Sequence, residues 1–383
     1  MRRFRPIVNL VLVLGASMYF ASTVVAQGRS LVSSERLILG TESNRSASVR
    51  TGDVDGDGDL DVVVANGRHW PQQNFLFLNQ GKAKFSVMRP LGQDRRTTYA
   101  CELADLDGDG DLDIVTGNDM SRGQLFINDG DGNFLVDSEF GAVSSVRSVT
   151  LADVDGDGDI DILATSRSQP NRIYINDGFA KLSDGPIFGK MNDSTIDVAV
   201  ADVNNDGHQD LLLANRDGQQ NELLLGVGNL KFAAANALGN NKDQTRAIAT
   251  ADMDGDGNLD CVFGNIGQPN RILFGDGKGG FPDSVSFANP DSQTYSVSVA
   301  DMDNDGVMDV VIGNANQPNG VFFNNGDGRN FRELAFGDPV AATYAVTVGD
   351  LDGDGFADIV VANSARTNRV FLSRPQRAPA VEQ

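Results

Sequence analysis

The sequence contains little cysteine, histidine or tryptophan for a chain of 383 residues: two, two and one, respectively. Cys101 and Cys261 are too few for a disulfide framework and lie in separate parts of the chain, so we expect two small buried residues and no bond between them. The two histidines are His69 and His208, and the sequence has no G-x-S-x-G or H-E-x-x-H pattern. These scarcities favour a function other than catalysis.

Basic residues are also scarce. The chain has 31 lysines and arginines against 53 acidic residues, and its net charge is −22. A nucleic-acid partner is therefore not expected, since such proteins carry basic surfaces. More than half of the acidic residues fall in one recurring motif. The acidity is thus a local feature, typical of ion binding.

Long apolar runs are lacking after residue 26. Before it, MRRFRP is basic, IVNLVLVLGASMYF is largely apolar, and Val24 and Ala26 offer small residues at a cleavage site. This pattern predicts a signal peptide over residues 1–26, with an uncleaved anchor as the alternative. We expect a secreted, periplasmic or extracellular protein with no membrane span after cleavage.

A nine-residue acidic motif, first seen as DVDGDGDLD at 53–61, recurs every 48 to 52 residues along the chain. The other copies start at residues 105, 153, 202, 252, 301 and 350. A regular period of this length indicates one repeat array rather than several unrelated domains. Between the motifs lie short apolar runs bounded by Gly, Asn and Asp, which predict four strands per repeat.

Four strands per repeat and seven motifs predict an all-β, seven-bladed β-propeller over residues 27–373. The last repeat ends after its third strand. The segment from Leu31 to Leu39 resembles the missing fourth strand, so we expect the N-terminal strand to complete blade 7 and close the ring. Residues 374–383 are predicted to form a disordered tail.

The motif has the residue pattern of a calcium loop. Side-chain oxygens stand at positions 1, 3, 5 and 9, a backbone carbonyl is available at position 7, and Gly at position 6 allows a sharp turn. An EF-hand would need Glu at position 12, where this chain has apolar residues such as Val64 and Ile312. The sequence therefore does not predict a helix-loop-helix calcium site.

These motifs resemble the FG-GAP or VCBS repeat, the seven-bladed calcium-binding propeller of integrin α-subunit heads, some secreted bacterial proteins and certain fungal lectins. The resemblance covers about residues 30 to 373. The GAP sequence after the second strand is replaced here by AN, GN or TS, which weakens any inference of integrin-like ligand recognition.

The resemblance implies up to seven structural Ca²⁺ ions, one per blade, with blade 4 the weakest because Asn204 replaces an aspartate. The implied ligands are Asp53, Asp55, Asp57, Asp59 and Asp61; Asp105, Asp107, Asp109, Asp111 and Asp113; Asp153, Asp155, Asp157, Asp159 and Asp161; Asp202, Asn204, Asp206, His208 and Asp210; Asp252, Asp254, Asp256, Asn258 and Asp260; Asp301, Asp303, Asp305, Val307 and Asp309; and Asp350, Asp352, Asp354, Phe356 and Asp358. The position 7 members, such as His208, would bind through their carbonyls.

A second group of residues predicts a ligand face opposite the acidic loops. It consists of residues six positions before the motifs and residues after the second strands, namely Arg68, His69, Trp70, Tyr99, Arg147, Arg246, Tyr295 and Tyr344. Arginine and aromatic side chains together suit an acidic or sugar ligand. The alternative is that these residues only cap and pack strand ends.

We therefore expect a monomeric calcium-binding propeller that acts as a binding or adhesion module for a glycan or for a cell-surface or extracellular protein. A carbohydrate-active enzyme of the polysaccharide lyase type on the same propeller is the alternative, since Tyr, His and Arg together can abstract a proton.

Overall fold

The computed structural model describes residues 28–240 and 242–376. The predicted signal peptide and residues 377–383 of the predicted tail lie outside the described residues. The described part of the chain contains 27 β-strands and no helix, so no helix there is long and apolar enough to cross a membrane. All strand pairs are antiparallel.

The strands form six hydrogen-bonded sheets. In chain order they are β1 (Arg29–Val32), β2 (Ile38–Leu39), β3 (Ser46–Gly52), β4 (Asp61–Asn66), β5 (Gln72–Leu78), β6 (Val87–Arg96), β7 (Thr98–Ala104), β8 (Asp113–Asn128), β9 (Phe134–Ala152), β10 (Asp161–Ser166), β11 (Asn171–Ile175), β12 (Ser183–Phe188), β13 (Thr195–Ala201), β14 (Asp210–Asn215), β15 (Glu222–Leu224), β16 (Asn236–Ala237), β17 (Thr245–Ala251), β18 (Asp260–Asn265), β19 (Asn270–Phe274), β20 (Asp283–Phe287), β21 (Thr294–Ala300), β22 (Asp309–Asn314), β23 (Asn319–Asn324), β24 (Phe331–Phe336), β25 (Ala342–Gly349), β26 (Asp358–Ser364) and β27 (Asn368–Pro375).

Four of the sheets have four strands in sequence order: β3 to β6, β13 to β16, β17 to β20 and β21 to β24. The sheet that contains β27 also takes in β1, β2, β25 and β26, and the remaining sheet runs from β7 to β12. The strands that precede the acidic loops, which we call the inner strands, are β3, β7, β9, β13, β17, β21 and β25. Each inner strand contacts the next, and β25 contacts β3, so the ring is closed.

The core lies between neighbouring sheets. Strands that follow the acidic loops, such as β4 with the sequence DVVVAN, are buried along their whole length. One cluster packs Val63 and Leu76 of the first sheet against Ile114 and Phe126 of the second. The continuous apolar runs in the sequence are explained by this burial on both faces of each sheet.

The prediction of seven separate four-stranded blades is wrong. The described strands form six sheets, because the residues of the second and third predicted blades share one six-stranded sheet. Strands β8 and β9 run without a break for 16 and 19 residues, and they stay paired between Asp119 and Ser145. Elsewhere a turn interrupts the chain between the second and third strands, with proline as in Gln-Pro-Asn or without it as in Arg-Asp-Gly-Gln-Gln. The two blades are joined through β9, which pairs with β8 along its first part and with β10 along its second.

The two ends of the chain pair with each other. Leu31 of β1 lies opposite Ser373 of β27, and Ile38 of β2 lies opposite Arg369. The ring is thus closed by the N-terminal segment expected from the sequence, although it completes the sixth sheet rather than a seventh. Strand β27 continues to Pro375, so Arg374 and Pro375 belong to the propeller and not to the predicted tail. Both cysteines are free and buried, as expected.

Candidate functional site

The acidic motifs form tight loops between each inner strand and the strand after it. In the first loop, the carboxylate of Asp53 accepts hydrogen bonds from the amides of Gly56 (2.9 Å) and Gly58 (3.0 Å). Gly58 at position 6 has φ of 91°, a left-handed conformation that glycine adopts without steric cost. The glycines at position 6 of the other loops have similar positive φ angles. The predicted sharp turn is therefore present in each copy.

The aspartate at position 9 ties the loop to the sheet. Asp61 is fully buried and accepts hydrogen bonds from the amides of Val54 (3.0 Å) and Asn79 (2.7 Å), so it joins the loop to the third strand of its sheet. Burial raises the pKa of Asp61 to about 7, although the two hydrogen bonds act in the opposite direction. The same pair of bonds is made by Asp113, Asp161, Asp210, Asp260, Asp309 and Asp358.

The aspartate at position 3 has a buried oxygen without a partner in four of the loops. The Oδ1 atoms of Asp55, Asp254, Asp303 and Asp352 are buried and have no hydrogen bond. Burial, followed by repulsion from the neighbouring Asp57, raises the pKa of Asp55. A buried carboxylate oxygen that lacks a donor is costly unless a cation compensates it.

The carboxylates are close enough to share one cation. Asp105, Asp107 and Asp113 each offer one oxygen within 4.8 Å of the others, and equivalent groups occur in four further loops, with Asp53, Asp55 and Asp57 as the set in the first. Only oxygen donors are present, which is the ligand type that a hard cation such as Ca²⁺ takes. The residues therefore fit such an ion.

The fourth loop differs from the others at position 3. Asn204 donates through Nδ2 to Asp206 Oδ2 over 3.0 Å, so its amide satisfies a neighbouring carboxylate internally. Like the second and third loops, this loop has no unpartnered buried side-chain oxygen at position 3. His208 at position 7 donates its backbone N–H to Asp206 Oδ1 over 2.9 Å. The same backbone bond occurs in the other loops, so only the amide at position 3 agrees with a loop that attracts a cation less strongly.

The residues of the predicted ligand face lie at the opposite ends of the inner strands. A β-bulge interrupts each inner strand, and the residue skipped by the pairing is the one six positions before the motif. A bulge turns a side chain away from the direction that it would have in the regular alternation along a strand. The skipped residues Tyr99, Arg147, Arg246, Tyr295 and Tyr344 line one end of a central cavity of about 430 Å³.

We call this end of the cavity, with Arg68 and His69 added, the channel mouth. The Arg68 guanidinium carbon lies 3.8 Å from the Tyr344 ring centre, and the Tyr344 and Tyr295 rings meet edge to face at 4.5 Å. Arg246 lies 6.0 Å from the Tyr295 ring centre. Burial raises the pKa of Tyr344 to about 12. The mouth thus combines arginine and tyrosine side chains.

A second contact in the mouth joins Tyr99, His69 and Arg147. Tyr99 Oη lies 3.0 Å from His69 Nδ1, and the Arg147 guanidinium carbon lies 4.3 Å from the Tyr99 ring centre. Partial burial and then the positive charges of Arg68 and Arg147 lower the pKa of His69. Trp70, by contrast, is 61% exposed and lies outside the mouth, with Arg45 at 5.8 Å from its ring.

Sequence reasoning missed a hydrogen-bond circuit between neighbouring repeats. Asn74 Nδ2 donates to Thr98 Oγ1 over 3.0 Å, and Thr98 Oγ1 donates to Asn118 Oδ1 over 2.8 Å. Equivalent Asn-to-Thr bonds are made by Asn171, Asn221 and Asn270 to Thr195, Thr245 and Thr294. The signal was available in the sequence, since a Ser or Thr stands seven residues before every motif except the third, where Val146 replaces it.

A model of the FG-GAP-like repeat matches six overlapping stretches of the chain: residues 53–116, 105–164, 153–213, 202–263, 252–312 and 301–361. Together they span well over half of the sequence. The chain belongs to the FG-GAP-like repeat family. Each matched stretch begins at one acidic loop and ends beyond the next, so the family match counts six repeats, not the seven predicted. This FG-GAP-like chain is accordingly a six-bladed propeller when a blade is counted as one hydrogen-bonded sheet.

No curated protein matches this FG-GAP-like chain. Among solved structures, it is similar to BBS1N in crystals of its complex with ARL6DN soaked with mercury, at 12% identity and a TM-score of 0.61. It is also similar to BBS1N in lead-soaked crystals of the same complex, at 11% identity and a TM-score of 0.59. In both cases the match covers 92% of this chain and 99% of the other. At this identity the likeness concerns the fold alone.

Proposed function

We propose that this propeller is an exported, calcium-stabilised binding module whose channel mouth binds a glycan or a surface protein. The observation that carries the proposal is the convergence of Arg68, Arg147 and Arg246 with three tyrosines at one end of the cavity. Binding sites are concave and combine aromatic surface with a few polar groups. The fold neighbour BBS1N was solved in complex with ARL6DN, which supports a binding role for such a propeller in general.

Calcium in this proposal is structural. The unpartnered oxygens of Asp55, Asp254, Asp303 and Asp352 support a cation in those loops. A bound ion would relieve the repulsion among the loop carboxylates and would join each inner strand to the strand after it. Export would supply the ion, because extracellular calcium fills even weak sites. Mass spectrometry of the mature N-terminus tests export, with cleavage after Ala26 as the expected result.

Retention on immobilised polysaccharides tests the binding function. The calcium-loaded chain is passed over neutral and acidic polysaccharides, and both retained protein and released shortened products are measured. We expect retention without release, and weaker retention for the Trp70→Ala variant, since the exposed indole at the rim can stack on a sugar ring. Absence of retention on every polysaccharide would contradict glycan binding and would leave a surface protein as the ligand.

A carbohydrate-active enzyme is the second candidate, and the contact of His69 with Tyr99 under Arg147 favours it. A neutral imidazole can accept a proton while an arginine neutralises a neighbouring carboxylate. Burial raises the pKa of Tyr99, which keeps the phenol protonated and leaves His69 as the base. Release of unsaturated products by the native chain, lost in the His69→Ala variant, would establish the enzyme.

A further inference from the structure

We propose that the channel mouth captures one carboxylate-bearing sugar, a uronate, between the guanidinium groups of Arg68 and Arg246. This inference rests on the proposed function and specifies its ligand. The uronate carboxylate would accept hydrogen bonds from the two guanidinium groups, and the sugar ring would lie along Tyr295 and Tyr344. The two guanidinium groups select the carboxylate, and the cavity accommodates the sugar ring.

In the described part of the chain, Arg68 and Arg246 are the arginines of the channel mouth that lack an acceptor. Among the described residues, neither the Arg68 nor the Arg246 guanidinium makes a hydrogen bond or an ion pair, and their contacts are with tyrosine rings. Three neighbouring arginines are paired, whereas Arg45, near Trp70 outside the mouth, is not paired with any described residue. Arg50 forms an ion pair with Glu102, Arg147 with Asp119 at 3.2 Å, and Arg167 with Asp217 at 2.9 Å.

The carboxylate of Asp197 attracts Arg246 electrostatically but makes no hydrogen bond to it. Asp197 lines the same cavity, but its oxygens accept hydrogen bonds from the backbone amides of Val198 (3.1 Å) and Ile248 (3.2 Å). No ion pair joins Asp197 to Arg246 within 4.0 Å in the described residues. Burial lowers the pKa of Arg246, as expected for a charge that is poorly solvated. A ligand carboxylate would supply the missing acceptor, with a charge-assisted and bidentate geometry that guanidinium favours.

The surroundings favour a sugar over a small inorganic anion. The cavity of about 430 Å³ falls in the range of roughly 300–1,000 Å³ found for small-molecule sites. Its wall carries the hydroxyls of Ser296 and Thr347, and hydroxyls can donate to and accept from sugar hydroxyls. The edge-to-face tyrosine pair presents an aromatic ring beside the unpaired arginines. An acidic peptide shares the carboxylate but not the ring of hydroxyls, and it is an arm of the test.

Calorimetric titration of the calcium-loaded full chain tests this inference. The probes are a trisaccharide of galacturonic acid, the neutral galactose trisaccharide, and a short peptide rich in aspartate and glutamate. The variants are Arg68→Gln and Arg246→Gln. The control is Arg366→Gln, because Arg366 is an exposed arginine that already pairs with Asp338 at 3.2 Å. Thermal melting verifies that each variant is folded.

We expect the uronate to bind at least tenfold more tightly than the neutral sugar. Each mouth variant should weaken uronate binding by about tenfold to a hundredfold, the loss typical of a hydrogen bond to a charged group, and the control should leave it unchanged. Added salt should weaken uronate binding more than neutral binding.

Four outcomes would overturn the inference. Equal binding of the two trisaccharides, or unchanged uronate binding in folded Arg246→Gln, would refute the carboxylate site while glycan binding itself stood. Binding of the peptide without the uronate would assign the site to a protein carboxylate. Lack of binding to any sugar, here and on immobilised polysaccharides, would refute the glycan-binding function as well.

Discussion

Asn368 Nδ2 donates a hydrogen bond to Ser46 Oγ over 3.0 Å, although the two residues are 322 positions apart in the sequence. Both side chains are buried, and Ser46 Oγ in turn donates to Asn66 Oδ1 over 2.7 Å. The bond belongs to the same circuit that joins Asn74 to Thr98 between the first two sheets. It is one of the hydrogen-bond links by which the last sheet meets the first, alongside that from Asn79 Nδ2 to the Leu351 carbonyl, so polar groups as well as apolar packing close the ring.

Loss of this link should destabilise the whole ring. We expect Ser46→Ala to lower the free energy of unfolding by about 1–3 kcal/mol, because Asn368 Nδ2 is left buried without an acceptor. Asn368→Ala should cost more, since Asn368 Oδ1 also accepts from the Asn363 amide over 2.8 Å. Urea unfolding of both single variants and the double variant measures the coupling. A coupling energy of zero would show that the bond contributes nothing to closure.

Removal of the first strand should weaken the junction of the chain ends. Deletion of residues 28–33 removes β1 and leaves the Leu372–Pro375 end of β27 as an unpaired sheet edge, which is prone to aggregation. Arg29 is lost as well, together with its bond to Ser373 Oγ (3.0 Å) and its stacking on Phe356 at 3.6 Å. We expect the melting temperature to fall by several degrees and the variant to aggregate on heating. A deletion variant that melts and stays monomeric like the full chain would contradict this role for β1.

Much of this architecture is readable from the sequence because each acidic loop marks the same point in a repeat. The strands on either side of Asp53 or Asp252, the left-handed glycine at position 6 and the pairing of the chain ends follow from local pattern. The joining of two predicted blades into one sheet does not follow from local pattern. It arises where the Asn and Thr of the circuit are replaced by Gly123 and Val146, so that β8 and β9 continue pairing through the level where other sheets stop.

The sequence predicts the channel mouth only in part. Residues six positions before the motifs could be aligned by number, but the bulge that turns Tyr99 or Arg246 toward the cavity is a property of strand pairing. Which arginines form ion pairs with carboxylates likewise depends on distances in the folded chain. Trp70, the most conspicuous residue of the predicted face, lies at the rim because it follows His69, whose φ of 71° turns the chain outward into solvent.

Chelation of calcium should lower the stability of the native chain. Each ion that binds only the folded state adds RT ln(1 + [Ca]/Kd), about 2.7 kcal/mol at a hundredfold excess over Kd. We expect excess EGTA to lower the melting temperature sharply and added Ca²⁺ to restore it. Magnesium at the same concentration is the control, since Mg²⁺ loses its water shell reluctantly. An identical melt with and without EGTA would refute the calcium assignment.

The metal-free chain should become less stable as the pH rises. Burial raises the pKa of Asp61, Asp309 and Asp358 to about 7 and those of Asp113, Asp161 and Asp260 to about 6, whereas an unfolded aspartate titrates near about 3.9. Between these pKa values the folded state binds more protons than the unfolded state. The stability that these carboxyl groups contribute is therefore present at low pH and is lost as the pH rises through about 6 to 7.

Thermal melts of the chelated chain from pH 5 to pH 8 measure this effect. The melting temperature should fall across that interval, and saturating Ca²⁺ should flatten or reverse the trend by occupying the ionised carboxylates. A chelated protein that is more stable at pH 8 than at pH 5 would mean that these carboxylates are ionised in the folded state at both pH values.

The fourth loop offers a paired test of how charge sets ion affinity. Asn204→Asp replaces an amide that bonds Asp206 Oδ2 at 3.0 Å with the carboxylate found at position 3 of the other loops. Asp254→Asn makes the reverse change in the fifth loop, where Asp254 Oδ1 is buried without a partner. Ligand charge is one of the quantities that tune calcium affinity in oxygen-only sites. We expect the first variant to gain affinity at one site and the second to lose it, by about tenfold or more in each case.

Calorimetry and bound-metal analysis of the two variants read out affinity and stoichiometry separately. Because the substitutions are isosteric and opposite in sign, a general effect of net charge would move all sites together, whereas a local effect changes one site in each protein. Equal stoichiometry and affinity in the native chain and both variants would show that position 3 is not a ligand. The buried oxygens of Asp55 and Asp254 would then need a different donor.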